Sequence, residues 1–429
     1  MLEGIDSYFQ IREKGSTLRT EVLAGLSTFL VLSYIFVVNP AILAQAGMDP
    51  SAVLFATILV SGLSTIAMGL WARLPFVLAP GMEMNAYVAF YVVGALGHTW
   101  QQALGAVFWS GVLFILLTVT RVREQIIEAI PERMKVSLAL AVGVFLVLVA
   151  FKLSGVLTFT GVRVSGIGSV VAPAAITMYV GIGIALAFDR LRIRAAVLAS
   201  IFVATVVCHF LGIGAPAKAA EVSRGMFAGV WRLDVGVILR PSALSVILVL
   251  FLVDFYGSVA KLIGLSGQTS IQEGGKVPRM RQALLVDSIG TTAASFLGTS
   301  NITVYVESAV GIGAGGRTGV TAVTCGILML SCFAIAPLLH WVPLAATTGA
   351  LVFVAVKLFP STRELRAFNW GDLLALALMQ VCVVATFALD RAIFVGLLVY
   401  VVGQVVRREP PNRYALISIV LLLIGICMQ

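Results

Sequence analysis

The chain has 429 residues, of which 60% are apolar and 11% charged, with a mean hydropathy of +1.04. A soluble domain is about half apolar and a quarter charged, so this composition excludes a soluble enzyme, a disordered chain and a secreted disulfide scaffold. The formal net charge of +9 raises nucleic acid as a partner, a reading that the position of the charges then removes.

Apolar stretches of about 20 residues, enough to cross a bilayer, recur along the whole chain. Continuously apolar runs such as Val246–Val253 exclude the alternation of a transmembrane barrel, so an all-α polytopic membrane protein is expected. After a polar N-terminal segment (1–22), about 14 spans are predicted. They lie at 23–46, 52–72, 78–95, 102–120, 137–153, 173–189, 195–213, 242–264, 282–298, 301–313, 318–339, 342–358, 371–389 and 391–406. A last stretch, 413–428, is short for a crossing and leaves the count open by one. With a cytoplasmic N-terminus, the inner loops carry 20 of the 29 basic residues and the outer loops six: Arg163, Lys218, Arg224, Arg232, Arg240 and Arg391. This positive-inside bias accounts for the charge without nucleic acid. No cleaved signal peptide is expected, because the N-terminal segment is charged and lacks a small-residue cleavage site. The five cysteines all fall in apolar stretches and read as packing residues, and His98, His209 and His340 lie apart. Neither a metal site nor a cofactor is expected.

The chain divides near the loop 214–241, and its halves echo each other. Ala187-Phe188-Asp189-Arg190 matches Ala388-Leu389-Asp390-Arg391, the first facing the cytoplasm and the second outside in this topology. Seven spans per half is an odd number, so the second half is inverted, a 7+7 arrangement found in secondary transporters. The third span, from Leu78-Ala79-Pro80-Gly81, and the tenth, from Gly298-Thr299-Ser300-Asn301, occupy corresponding positions, and both carry helix-breaking sequence at membrane depth. Irregular backbone survives there only where it lines a cavity, so these two short, interrupted spans mark the expected binding site.

Ionisable residues in apolar context cost roughly 2.5–3.5 kcal/mol each at the bilayer centre. Those here are Glu83, Asp254, Lys261 and Glu307. Glu307 lies in a polar run with Asn301, Thr303, Tyr305 and Ser308 and reads as a substrate or proton group. Asp254 is open between a structural hydrogen bond, pairing with Lys261 and a proton-carrying role; Glu83 is open between structure and function. Lys261 reads as snorkelling to the near interface, Asp287 as a cap or inter-helix lock, and Asn39-Pro40 as a break in the first span that leaves a side-chain amide nearby. Gly311–Gly316 fits a dinucleotide-binding pattern without its strand context and is set aside. The sequon at Asn301 sits at membrane depth, and amphipathic 122–135 reads as an interfacial linker helix.

At Asn39-Pro40-Ala41-Ile42-Leu43, Leu78–Met82 with Asn85-Ala86-Tyr87, and Leu297–Ser300 through Tyr305–Ser308 to Gly315–Gly319, the chain resembles the AzgA-like purine permeases of the nucleobase–cation symporter (nucleobase/ascorbate transporter) superfamily. The resemblance runs from about Glu21 to Val402. It implies a core domain from 23–120 and 242–341, a gate domain from 121–213 and 342–429, and proton-coupled uptake of a purine base at the inner membrane by an elevator-like motion. Its implied partners are that small-molecule substrate, a proton (sodium as second choice), the lipid bilayer and a second copy of the chain. Asn85 and Glu307 match residues important for purine recognition, and Gly81, Glu83, Tyr256, Gly257, Asn301 and Thr303 complete the expected binding set; Glu307, Glu83 and Asp254 are the expected proton carriers.

The eighth span departs from the pattern D-x-F-D-[NT]-x-G-T. This chain has Asp254-Phe255-Tyr256-Gly257-Ser258-Val259-Ala260-Lys261, so the second acid is Gly257 and a lysine stands where threonine is usual. In the third span Glu83 stands where glycine is usual. Glu83 is expected to replace the missing carboxylate, paired with Lys261, with a shift in substrate. The competing reading is an anion transporter or channel of the same fold, because Lys261 and two helix N-termini favour an anion.

Overall fold

The computed structural model describes residues 2–120, 132–160, 163–191, 193, 196–214, 225–267, 271, 277–336, 342–411 and 413–427. Most of the linker expected at 122–135, and much of the 214–241 loop, lie outside these. Among the described residues, seven helices are long and apolar enough to cross a membrane: Leu18–Ala46, Pro50–Ala72, Trp100–Val119, Arg133–Leu153, Pro241–Ser266, Leu344–Arg366 and Leu389–Val406. Shorter apolar helices are Ala196–Phe210, Gly319–Ala334, Trp370–Thr386 and Arg413–Cys427. Pro173–Arg190 and Met280–Leu297 fill the sixth and ninth positions. The protein is a multi-pass membrane protein.

Local chemistry sets the helix starts. Asp49 accepts from the Ser51 and Ala52 amides with Pro50 in the first turn, and capping boxes pair Thr99 with Gln102 and Asn369 with Asp372. The first span does break, but not at Asn39-Pro40. Helix Leu18–Leu32 ends at Ser33-Tyr34 and resumes as Ile35–Leu43 with Pro40 inside it. The chain tightens at this joint, the Phe36 amide reaching the Ser33 carbonyl and the Val37 amide the Tyr34 carbonyl. The kink thus falls upstream of the proline, where the turn contracts to three-residue bonding. Asp390 also differs from expectation: it lies inside helix Leu389–Val406 and is fully buried, not in an outer loop.

The third and tenth spans are interrupted as expected, and the interruptions are short strands. Of the four strands among the described residues, β1 (Leu78–Pro80), β2 (Leu157–Thr160), β3 (Arg163–Ile167) and β4 (Ile302–Val304), β2 and β3 pair antiparallel. β1 pairs antiparallel with β4 in the register Leu78↔Val304, Ala79↔Thr303, Pro80↔Ile302. The Gly81 amide donates to the Asn301 carbonyl at 2.9 Å and the Tyr305 amide to Val77 at 3.0 Å, extending the ladder at both ends. Helical segments Met82–Ala86, continued by the wider-turned Tyr87–Val93, and Ser308–Gly313 then lead away from the strands.

Packing separates two groups. In the core group, the third- and tenth-span elements lie among Leu18–Ala46, Pro50–Ala72, Trp100–Val119, Pro241–Gly267, Met280–Leu297 and Gly319–Ser331. In the flanking group, Glu132–Leu153 packs on Trp370–Thr386, as Leu344–Lys357 packs on Pro173–Arg190. The C-terminal helix Arg413–Cys427 packs against Pro241–Gly267 and Leu389–Val406. Two seams hold the core group together. Glu21, placed by the sequence reading in the polar N-terminal segment, is fully buried and accepts from the Arg317 and Thr318 amides and the Thr321 hydroxyl. The other seam is glycine on glycine: Gly62 faces Gly326 and Gly69 faces Gly319, an antiparallel match of equal spacing. A Cβ on Gly69 would stand 2.4 Å from the Gly319 carbonyl oxygen, and one on Gly326 2.7 Å from that of Gly62. Such small-residue contact is how membrane helices gain dispersion energy without a hydrophobic driving force.

Gly326→Val should therefore lower the melting temperature of the detergent-purified protein sharply or abolish its folded peak on size exclusion. Gly264→Ala, where a Cβ meets nothing within 4 Å, should leave both unchanged.

Candidate functional site

A cavity of about 140 Å³ lies between the two groups. Its core-group side is Glu83, Val253, Tyr256, Gly257, Ala260, Lys261 and Val306, and its other side is Lys135, Leu138, Ala139, Val142 and Leu358. Of the expected binding set, Glu83, Tyr256 and Gly257 line it, and Lys261 lies with them. A Cβ on Gly257 would meet nothing within 4 Å, so the missing acid of the eighth span leaves open space. Lys261 does not snorkel. Its Nζ lies 3.5 Å from Glu83 Oε1 and 3.3 Å from Thr303 Oγ1, with the Tyr305 ring centroid at 5.9 Å, and both charged side chains are 16% exposed.

The remaining expected residues form a buried network beside the cavity. Asn301 Nδ2 donates to Ser110 Oγ (2.9 Å) and Asp254 Oδ2 (3.1 Å), and Thr291 Oγ1 donates to the same Asp254 oxygen (3.1 Å). Asp254 is therefore held by Asn301 and Thr291, with no ion pair to Lys261 within 4 Å. Thr303 Oγ1 is 2.9 Å from Ser258 Oγ. Ser300 donates to Asn85 Oδ1, and Asn39 Nδ2 reaches Thr57 Oγ1 (2.6 Å) and Thr299 Oγ1 (2.9 Å). Asp287 is buried eight residues into its helix, too deep to cap it, and neither carboxylate oxygen has a hydrogen-bond partner within 3.5 Å among the described residues. Glu307 accepts from the Tyr34 hydroxyl at 2.8 Å through Oε1, while its Oε2 is buried without a partner among the described residues. Only its neighbour Val306 lines the cavity. Gly81 is packed, not open: a Cβ there would meet Met84 Cε at 2.3 Å, Thr303 Cγ2 at 3.2 Å and Glu83 Cδ at 3.5 Å.

Tyr34, Ser110, Ser258 and Thr291 join this network without having been singled out in the sequence. A lone hydroxyl in an apolar helix carries no periodic or charge signal, so nothing in the sequence distinguishes these four from hydroxyls bonded to their own helix. Along the same interface, away from the cavity, the third span meets the flanking group by softer contacts. Tyr87 and Tyr91 stack at 5.3 Å, and Tyr91 Oη is 3.4 Å from Asp390 Oδ2. Lys152 Nζ of the flanking group lies 5.7 Å from the Phe90 ring centroid of the third span, and 5.3 Å from those of Phe159 and Phe387 in its own group.

Two strand-broken spans meeting inside a helical bundle, and a cavity between two helix groups, define a membrane transporter of inverted-repeat type. Solved structures share the fold. The transmembrane domain of the cyanobacterial bicarbonate transporter BicA superposes with a TM-score of 0.60 at 16% identity, covering 87% of this chain and 97% of that one. SLC26A9 gives 0.65 at 12% identity, over 94% of this chain and 69% of that one. Residues 19–386 match the Xan_ur_permease family, described as a permease family, and the chain belongs to it. It is 37% identical to the adenine permease AdeP of Escherichia coli (strain K12) over 94% of this chain and 90% of that protein. It is 30% identical to the guanine/hypoxanthine permease PbuO of Bacillus subtilis (strain 168) over 93% of this chain and 94% of that protein. The chain thus falls in the purine permease branch of the nucleobase/ascorbate transporter superfamily and is not an enzyme.

Tyr34→Phe removes the one hydrogen-bond donor that Glu307 has in the first span. It should destabilise the ligand-free protein by roughly 1.5–3 kcal/mol, read as a lower melting temperature.

Proposed function

We propose that the protein is a secondary active transporter that imports a purine nucleobase with a proton across a bacterial inner membrane, its N-terminus in the cytoplasm. The observation that carries this reading is the cavity: one wall bears Glu83, Lys261 and Tyr256, and the facing wall is mostly aliphatic. A planar heterocycle suits such a cleft, with its ring faces against Tyr256 and the aliphatic side and its polar edge toward the charged pair. The two purine permeases above, matched over nine tenths of the chain, support a substrate of this class.

Transport requires the cavity to open alternately on each side. The core group, locked internally by Glu21 and the glycine seam, is suited to move as one body against the flanking group, which serves as gate. The proton would travel on a carboxylate of the core group. Glu307 is our choice, because its Oε2 is buried with no protein partner among the described residues and so is free to take up a proton. Lys261, with Lys135 across the cavity, favours an anion as substrate instead, but Glu83 at 3.5 Å offsets the Lys261 charge.

Purified protein in proteoliposomes should accumulate radiolabelled adenine or hypoxanthine when the lumen is alkaline, and a protonophore should abolish accumulation. Glu307→Gln should keep exchange of substrate across the membrane while losing accumulation driven by the pH gradient. Uptake blocked by bicarbonate or sulfate and indifferent to purines would replace this reading with the anion one.

A further inference from the structure

The Glu83–Lys261 pair is the part of the cavity that stability does not explain. Moving two charges to membrane depth is costly, and a pair facing a wet cleft recovers little of that cost, so an intramembrane pair points to function. Its geometry also leaves bonding capacity unused. The ammonium has three donor hydrogens and two partners among the described residues, Glu83 Oε1 and Thr303 Oγ1. The Glu83 carboxylate has one side-chain partner among them, Lys261, leaving Oε2 as a free acceptor. A spare donor and a spare acceptor thus stand side by side on the cavity wall, next to the open space at Gly257.

The surroundings hold this arrangement in place. The strand pairing seats Thr303 opposite Ala79, two residues before Gly81. At Gly81 an added Cβ would crowd Met84 Cε and press on Thr303 Cγ2, so the turn packs closely against β4 beside Glu83. Lys261 lies one helical turn beyond Gly257, so ligand that enters the Gly257 space meets the ammonium directly.

We propose that Lys261 and Glu83 together are the specificity determinant of the site, reading an adjacent acceptor–donor edge on the heterocycle. Lys261 donates to a ring carbonyl oxygen or imine nitrogen, and Glu83 accepts from the neighbouring N–H. The ligand class is therefore a cyclic lactam or amidine read at the N1–C6 edge of its six-membered ring, such as a 6-oxo- or 6-aminopurine, and a ring alkylated or unsubstituted at that edge is rejected. This rests on the nucleobase reading above and adds which residues select within that class. Buried polar groups left unpaired are what make such a site selective.

The test is equilibrium binding to the full-length purified protein, by calorimetry, with hypoxanthine, 1-methylhypoxanthine and unsubstituted purine. Wild type should bind hypoxanthine at least about tenfold more tightly than either analogue, the loss expected for one unmade charged hydrogen bond. In the Glu83→Gln/Lys261→Met double variant the preference should collapse to within about threefold, chiefly through weaker hypoxanthine binding. Melting temperature confirms that the variant is folded; the wild-type panel tests the proposal without any variant. A preference that survives unchanged in the double variant, or a wild type that does not discriminate, overturns this inference alone. If no purine binds wild type at all, the nucleobase reading falls with it.

Discussion

The constraint on which this structure depends is that a transmembrane chain cannot stop being helical without finding partners for its backbone. Lipid offers no hydrogen bonds, and each unsatisfied amide or carbonyl costs several kcal/mol. The third and tenth spans both stop being helical, and each solves the other's problem: β1 and β4 pair, and the Gly81 and Tyr305 amides extend the ladder. That pairing joins the two sequence halves backbone to backbone inside the membrane. The polar residues of the site radiate from it. Thr303 and Asn301 come from the β4 side, Glu83 and Asn85 from the β1 side, and Asp254, Ser258 and Lys261 from the helix packed against them.

Around this joint the structure sorts its polar groups by purpose. Asn39, Asn85, Asp254 and Asn301 bond to neighbouring side chains and are fully buried, so they brace broken backbone. Glu83, Lys261 and Tyr256 face the cleft. Glu307 stands between these sets, held on one oxygen by Tyr34 and open on the other. The core group is built on buried acids and glycine contacts, whereas the facing wall of the cavity is mostly aliphatic.

Much of this was legible in the sequence. Hydropathy located the spans, and Pro80-Gly81 and Gly298-Thr299-Ser300 located the two interruptions, because proline and glycine weaken a helix at the depth where lipid most demands one. The pairing of Glu83 with Lys261 could be expected from two opposite charges, each standing where the family pattern has an uncharged residue. The strands themselves could not be read, since Leu78–Pro80 and Ile302–Val304 are too short for any alternation and make sense only as partners. Asn39-Pro40 misled: the proline advertised a break that the chain takes six residues earlier, at Ser33-Tyr34. Glu21 misled for another reason. It looks like any solvated acid before a span, and only the fold brings the Arg317 and Thr318 amides onto it.

The contacts made by Tyr91 and Lys152 away from the cavity differ in kind from an ion pair. A phenol 3.4 Å from a carboxylate and an ammonium 5.7 Å from the Phe90 ring centroid are attractions of roughly 1 kcal/mol each, broad in angle and tolerant of displacement. A bidentate ion pair would be a deep, narrow well by comparison. Contacts this shallow hold the third span against the flanking group while leaving the seam between them easy to shift.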